Sequence, residues 1–305
     1  MLFPQNIKCI FCDAELDEDK RENVCDKCAP IKNTSFCIIC GRALFCEQHP
    51  DDFEVVAITT NVLGFGFSEN WIRVPYKNDA SRRMDYIDYE TDFEYEAGIE
   101  GIKEYSLDSL GEDNEEDSVL DVCHNCARYS PSFFRARSSF VYKNEISGLV
   151  YRFKYGNNKW LGKHFALFMF DTYNAHLDKD FDIDFISFVP MTALKQRRRG
   201  YNQAEVLARE LGLLLNKEVV PLFNKADTGK ESKNAAKLTK KERQEYIRGS
   251  ITVLDDIDSD FLKGKTVLLI DDVLTTGTTS NECAKKLKQK ASVKTIVLTL
   301  ASATA

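Results

Sequence analysis

The stretch "VLLIDDVLTTGTTS", residues 267–280, runs from an apolar segment straight into two adjacent acids and then into a series of threonines around one glycine. A continuous apolar run of this length reads as a strand buried on both faces. In open α/β sheets, ligands bind beyond the carboxyl ends of the strands, and Asp271 and Asp272 are expected at such an end. Carboxylates are costly to bury, so the pair should face a polar ligand. It could accept hydrogen bonds from vicinal hydroxyls or hold a metal through water. Thr275, Thr276, Gly277, Thr278 and Thr279 then lead into a helix N-terminus, whose N–H groups, hydroxyls and dipole suit a phosphate. Gly277 lets backbone amides approach such an anion. A diol at one end and a phosphate at the other is what a ribose 5-phosphate offers. The plain alternative is an ordinary strand-loop-helix joint with solvated acids, but double acids in a core strand are a local conflict that usually marks function. No GxxxxGK[ST] or GxGxxG occurs in the chain, so P-loop and dinucleotide-binding readings lose support.

The surrounding residues extend the α/β pattern. "SSFVY", "FISFVP", "ITVL", "TVLLI" and "TIVLTLA" read as strands. "EISGLVYRFKY", "WLGKHFALFMFDTY" and "TSNECAKKLKQK" carry apolar residues at helical spacing. "NQAEVLARELGLLL" is a further helix, with Asn202 as N-cap and Ala204, Leu207, Ala208 and Leu211 on one face. Alternating strands and helices predict an α/β fold, a parallel sheet with helices on both faces. Cys283, beside Ala284 and Leu287, is read as a small core residue.

Nine of the ten cysteines precede residue 127. They form "CIFC" (Cys9, Cys12), "CDKC" (Cys25, Cys28), "CIIC" (Cys37, Cys40), "CEQH" (Cys46, His49) and, much later, "CHNC" (Cys123, Cys126). A two-residue spacer lets one tight turn aim two thiolates at one metal, and two such turns complete a tetrahedral zinc site. The competing readings are disulfides, which suit an oxidising compartment, and ordinary buried cysteines. No βαβ pattern surrounds these cysteines, as a thioredoxin-like pair would require. Cys9, Cys12, Cys25 and Cys28 make one site by proximity. Cys37 and Cys40 need two partners, which either Cys123 and Cys126 or Cys46 and His49 could supply.

The 305 residues allow one large domain or two modest ones. No apolar run approaches the ~18 residues that span a bilayer. The first residues lack the features of a signal peptide, so a cytoplasmic location without membrane insertion is expected. The net charge of −7 conceals an asymmetry: residues 1–128 carry 12 basic and 28 acidic residues, and residues 129–305 carry 29 basic and 20 acidic. The basic half suits an anionic ligand, whereas the whole chain does not suit strong nonspecific DNA binding. Residues 51–121 read as an insertion. Its first part, "FEVVAITTNVLGFGF" and "WIRVPY", alternates like a hairpin. Its second, residues 85–121, holds fifteen acids and one lysine, and reads as solvated and partly disordered.

"VLLIDDVLTTGTT" resembles, at all thirteen positions, the phosphoribosyl pyrophosphate motif of type I phosphoribosyltransferases. "VPMTALKQRRRGYNQAEVLAREL", residues 189–211, is similar to the "VP…RRGFNQ…LA" signature of the ComF family, competence-related phosphoribosyltransferases that begin with a double zinc ribbon. The resemblance covers nearly everything outside residues 51–121. It implies that Asp271 and Asp272 hold the ribose hydroxyls, that Thr275, Thr276, Gly277, Thr278 and Thr279 hold the 5-phosphate, and that Lys195, Arg197, Arg198, Arg199 and Gly200 form the pyrophosphate loop. Consecutive arginines are otherwise often a solvated face. It also implies pairing of Cys37 and Cys40 with Cys123 and Cys126, about two structural zinc ions, and Mg²⁺ with the sugar diphosphate. The domains would be a zinc ribbon (1–50), an acidic insertion (51–121), the ribbon's end and a linker (122–137), and a phosphoribosyltransferase-like domain (138–305). "FKY", residues 153–155, matches the family's "KY" before its first core helix, with no role attached. The family's hood over the active site reads here "TGKESKNAAKLTKKERQEYIRGSI". Thr228, Leu238 and Arg243 fit, while Glu231 or Asn234, Tyr246 and Ile251 depart. The implied function is transfer of a phosphoribosyl group from phosphoribosyl pyrophosphate to a nitrogen acceptor. The alternative is a non-catalytic adaptor of DNA import that keeps the sugar-phosphate pocket, with a competence helicase, another DNA-import protein or single-stranded DNA as partner.

Overall fold

The computed structural model describes residues 36–42, 53–58, 70–75, 103–104, 120–121, 123, 126, 130–227 and 249–303. The chain divides into two compact units, residues 34–131 with 304–305, and residues 1–33 with 132–303.

In the first unit, β1 (Phe53–Ile58) and β2 (Asn70–Pro75) pair antiparallel, Phe53 opposite Pro75 and Ile58 opposite Asn70. This is the pairing that the alternation predicted. Two short pieces of the acidic segment join the same sheet. β3 (Lys103–Glu104) pairs antiparallel with β1, and β4 (Leu120–Asp121) lies parallel to β2. The rest of residues 85–121 lies outside the described residues.

The second unit starts with β5 (Arg135–Val141), α1 (Asn144–Tyr155) and α2 (Leu161–His176). β6 (Phe185–Phe188), α3 (Ala193–Arg199) and α4 (Gln203–Leu215) follow. Next come β7 (Phe223–Lys225), β8 (Ile251–Val253) and the short α5 (Ser259–Leu262). The chain closes with β9 (Thr266–Leu274), α6 (Thr278–Ala291) and β10 (Lys294–Ser302). Four strands form a parallel sheet in the order β5-β10-β9-β6. A parallel bridge from Ile186 to Val219 adds a rung beyond β6. The segment "ITVL" is strand β8, but it pairs antiparallel with β7 outside this sheet. Its pattern explains the placement: Ile251 is buried and Thr252 exposed, an alternation that suits a one-sided pair rather than a doubly covered strand.

The two inner strands are apolar on both faces because both faces are covered. Leu268 and Ile270 of β9 and Ile296, Leu298 and Leu300 of β10 join a cluster with Phe153, Phe165, Met169, Leu207 and Leu211 from α1, α2 and α4. Val267, Leu269 and Val297, which alternate with them, are also buried, and α6 packs over β10 with Cys283, Ala284 and Leu287 inside. The expected fold class, α/β with a parallel sheet and helices on both faces, is the one present. Cys283 is the core residue it was read to be. Among the described residues, no helix is long and apolar enough to cross a membrane.

α4 starts where its sequence says it should. Asn202 sits in extended conformation and its side-chain oxygen accepts from the Ala204 N–H at 3.1 Å, the usual service of an N-cap. Ala204, Leu207, Ala208 and Leu211 form its buried face. The α2–α4 crossing is close: a Cβ at Gly162 would lie 2.4 Å from Val206 Cγ1. Leu207 is fully buried at this junction, so Leu207→Ala should lower the unfolding free energy by about 2–5 kcal/mol in a urea titration, through lost transfer energy and the cavity left behind.

Candidate functional site

The strand ends set the geometry. β6 stops at Phe188, opposite Ile270, whereas β9 and β10 pair onward through Leu274 and Ser302. Asp271 and Asp272 are therefore not at the end of their own strand, as the sequence suggested. They lie just past the end of the neighbouring one, where β9 loses its partner on one side. The chain leaves β6 toward the Val219 rung and leaves β9 toward β10. The β6–β9 boundary is thus a topological switch point, the usual place for a ligand in such sheets.

Each acid has its own surroundings, as alternation along a strand requires. Asp272 Oδ2 meets Lys154 Nζ of α1 at 3.0 Å, with the side chains 13% and 21% exposed. Asp271 Oδ1 accepts from the Asp272 N–H at 2.8 Å. Burial first, and then the charge of Asp272, raise the Asp271 carboxyl to about 7, against the pull of that N–H, Lys154 and Lys225. Lys225 closes β7, so charge from outside the parallel sheet also reaches this acid.

The threonine segment divides between loop and helix. Thr275 and Thr276 are exposed, Gly277 is the N-cap of α6 with φ +74°, and Thr278 and Thr279 belong to its first turn. The left-handed φ is one that a residue with a Cβ adopts only under strain. Thr276 Oγ1 and Thr278 Oγ1 are 2.8 Å apart, and the Thr278 N–H donates to Thr276 Oγ1 at 3.4 Å. The first regular turn closes from the Asn281 N–H to the Gly277 carbonyl at 2.8 Å. Orphan amide groups and the positive end of the dipole concentrate at this turn.

The basic segment after β6 is a helix, not the loop expected from its sequence. Thr192 caps α3 by accepting from the Lys195 N–H at 3.3 Å, and Gly200 ends it at φ +83°. Arg197 and Arg198 are exposed, while Lys195 and Arg199 are half-buried. The three arginines fill the last turn, where cations offset the negative end of the dipole. Arg199 Nη1 donates to Gln203 Oε1 at 3.1 Å and Nη2 to Tyr155 Oη at 3.0 Å. The following turn is fastened to the core: Asn202 Nδ2 donates to the Val189 carbonyl at 3.0 Å, and Tyr201 Oη donates to the Phe153 carbonyl. Lys154, Tyr155, Tyr201 and Lys225 are the site's neighbours that sequence reasoning left without a role. "FKY" was the one visible signal for two of them.

The second candidate centre is in the other unit. The Sγ atoms of Cys37, Cys40, Cys123 and Cys126 all lie within 4.8 Å of one another, and all four residues are buried. They form a group that could hold a metal ion. Cys40 and Cys123 Sγ are 3.6 Å apart, close to the ~3.8 Å edge of a tetrahedral Zn–S₄ site with bonds of about 2.3 Å. The turn that carries the first pair is closed by the Gly41 N–H to the Cys37 carbonyl and the Cys37 N–H to the Arg42 carbonyl, both 2.9 Å. Arg42 Nε donates to Cys40 Sγ at 3.4 Å. Hydrogen bonds from the neighbouring cysteines push the Cys40 thiol well below its ordinary range, with Arg42 adding to the effect. Burial opposes the charge of Arg42, but the neighbouring sulfurs, Cys40 first, hold its pKa above the ordinary arginine value. Cys9, Cys12, Cys25, Cys28, Cys46 and His49 lie outside the described residues, as does the hood segment from Thr228 through Tyr246 to residue 248.

No family model matches the chain. Three curated proteins do. Competence protein F of Haemophilus influenzae is 29% identical over 55% of this chain and 72% of its own length. Competence protein ComFC of Streptococcus pneumoniae is 27% identical over 52% and 64%, and ComFC of Bacillus subtilis is 26% identical over 57% and 68%. The chain thus spans roughly two thirds of the length of these relatives. Among solved structures, an allosteric regulatory enzyme of purine biosynthesis is similar at 16% identity and a TM-score of 0.27, over 47% of this chain and 25% of that one. A hypoxanthine phosphoribosyltransferase of Trypanosoma cruzi is similar at 18% and 0.27, over 47% and 65%.

Two measurements bear on these centres. Asp271 titrates from 3.8 when unperturbed to about 7 in the fold. Its raised value favours the fold at low pH. That contribution is complete below about 4 and fades as pH climbs through 7. Asp271→Asn, which cannot ionise, should therefore melt like wild type at pH ~4 and at a higher temperature from pH ~7 upward. Elemental analysis of fresh, reduced protein should find bound zinc. The double variant Cys40→Ser/Cys123→Ser should retain about one equivalent less.

Proposed function

Three competence proteins, matched along about half the chain, put it in the ComF family, and from that premise we propose that its α/β unit binds phosphoribosyl pyrophosphate with Mg²⁺ and transfers the phosphoribosyl group to a nitrogen acceptor. The observation that carries the reading is the reversal of strand order between β6 and β9. There the acid pair lies within β9 just past the end of β6, the arginine-bearing helix α3 comes after β6, and the glycine-capped helix α6 comes after β9. Asp271 and Asp272 would accept hydrogen bonds from the ribose hydroxyls. Thr275 and Thr276, with Gly277, Thr278 and Thr279 at the start of α6, would bind the 5-phosphate. Lys195, Arg197, Arg198 and Arg199, with the backbone at Gly200, would hold the diphosphate and stabilise it as it departs. The acid pair fits a divalent cation. An Asp271 carboxyl raised to about 7 by burial and a like charge is relieved when a cation approaches. Mg²⁺ bound to the diphosphate would neutralise charge on the leaving group. The carboxylates favour the positive charge that develops at C1 as that bond breaks, and no side chain is required as a nucleophile.

Four clustered thiols with tetrahedral spacing support a structural zinc at Cys37, Cys40, Cys123 and Cys126. We assign Cys9, Cys12, Cys25 and Cys28 to a second zinc on their sequence spacing alone. Departures from the family's hood at Glu231 or Asn234, Tyr246 and Ile251 favour a second reading, an adaptor of the DNA-import machinery that binds the sugar diphosphate without turning it over.

Calorimetry with phosphoribosyl pyrophosphate and Mg²⁺ tests the first reading. Wild type should bind, and Asp271→Asn/Asp272→Asn should bind at least about tenfold more weakly. Equal affinity removes the roles given to the acids. Pyrophosphate release with a panel of nucleobases and amines separates the readings: release supports transfer, and tight binding without release supports the adaptor.

A further inference from the structure

The last turn of α1 touches the candidate site at three successive residues. Lys154 pairs with Asp272 at 3.0 Å, and both side chains are largely shielded. Tyr155 Oη accepts from Arg199 at 3.0 Å, while the Arg199 guanidinium stands 4.9 Å from the centre of the Tyr155 ring. The Tyr151 ring packs 4.9 Å from the same ring. The Phe153 carbonyl accepts from Tyr201, in the turn between α3 and α4.

The turn is itself held in place. Phe153 is fully buried, with its ring 5.3 Å from Phe165 and 5.6 Å from Tyr201. At Gly156 a Cβ would sit 2.7 Å from the Arg152 carbonyl oxygen and from Asn158 Nδ2, so a side chain cannot follow Tyr155 without a shift. The tip thus reaches residues from both strand ends, Asp272 of β9 through the shielded Lys154 and Arg199 of α3 through the exposed Tyr155. Exposed ion pairs contribute little, but one shielded to this degree fixes a geometry.

We propose that residues 153–155 are a positioning clasp for the sugar-diphosphate site, with Lys154 orienting Asp272 toward the ribose and Tyr155 orienting Arg199 toward the diphosphate. The proposal rests on the phosphoribosyl reading above and adds two positioning residues to it. It divides the labour: Lys154 serves the ribose end and Tyr155 the leaving-group end. A role confined to packing would not separate them.

The test is calorimetry of the full chain with Mg²⁺ and three probes: phosphoribosyl pyrophosphate, ribose 5-phosphate and pyrophosphate. Lys154→Met should weaken ribose 5-phosphate about tenfold and leave pyrophosphate within about twofold, and Lys154→Arg should recover most of the loss. Tyr155→Leu should do the reverse, weakening pyrophosphate about tenfold and sparing ribose 5-phosphate, and Tyr155→Phe, which keeps the ring, should fall between. Melting curves at wild-type temperature confirm that each variant is folded. Folded variants that bind both partial ligands like wild type, or that lose both together, overturn the clasp while the phosphoribosyl reading stands. A wild-type chain that binds none of the probes overturns that reading, and the clasp with it.

Discussion

A carboxylate set into a strand that is otherwise buried on both faces is the constraint on which this site depends. β9 runs Val-Leu-Leu-Ile through the core and then presents two acids in succession. Isolated charges at that depth are prohibitive, so each must be hydrogen-bonded, paired or neutralised. Asp272 is paired, by Lys154. Asp271 leans on the Asp272 amide and otherwise rises in pKa toward neutrality. The sheet makes this tolerable by ending β6 at Phe188, which opens one side of β9 where the acids begin. Had β6 continued, its backbone and side chains would have closed the space that a ligand needs.

The cysteine cluster is the corresponding constraint in the other unit. Four thiols within 4.8 Å, all buried, have little to recommend them as packing alone. The crowded sulfurs shift one another in opposite directions, Cys40 and Cys123 down and Cys37 and Cys126 up, and Arg42 donates to Cys40 at 3.4 Å. A cation held by all four would stabilise them as thiolates, and its binding free energy would then become folding free energy.

The sequence made the layout legible wherever local rules and tertiary packing agreed. Continuous apolar runs marked β6, β9 and β10 because those strands are covered twice, and the Asn202 cap with its helical stripe marked α4 because nothing contradicted them. The Cys37, Cys40, Cys123 and Cys126 set was readable from spacing together with family resemblance. Other features depended on neighbours far along the chain. "ITVL" looked like its parallel companions, and only its partner Phe223–Lys225 shows that it belongs elsewhere. "ALKQRRR" followed a strand and carried no apolar stripe, yet the Thr192 cap and the Gly200 terminus make it helical. Lys154 was hardest. One lysine in the last turn of an amphipathic helix carries no mark that it will meet an aspartate in the next-to-last strand.

Binding and turnover call on different parts of this molecule. On the phosphoribosyl reading, the Gly277 cap, the end of β6 and the Lys154–Asp272 and Arg199–Tyr155 contacts would serve binding, and they are in place in the structure. On the same reading, turnover would also need water excluded and an acceptor held against C1, demands that binding alone does not make. In the sequence, residues 228–251 depart from the hood pattern of the family it resembles at Glu231 or Asn234, Tyr246 and Ile251, whereas the acid pair, the threonine series and the arginine run match its motifs. A pocket can therefore keep its affinity while its catalytic power changes, because interactions made equally in the ground and transition states add nothing to the rate.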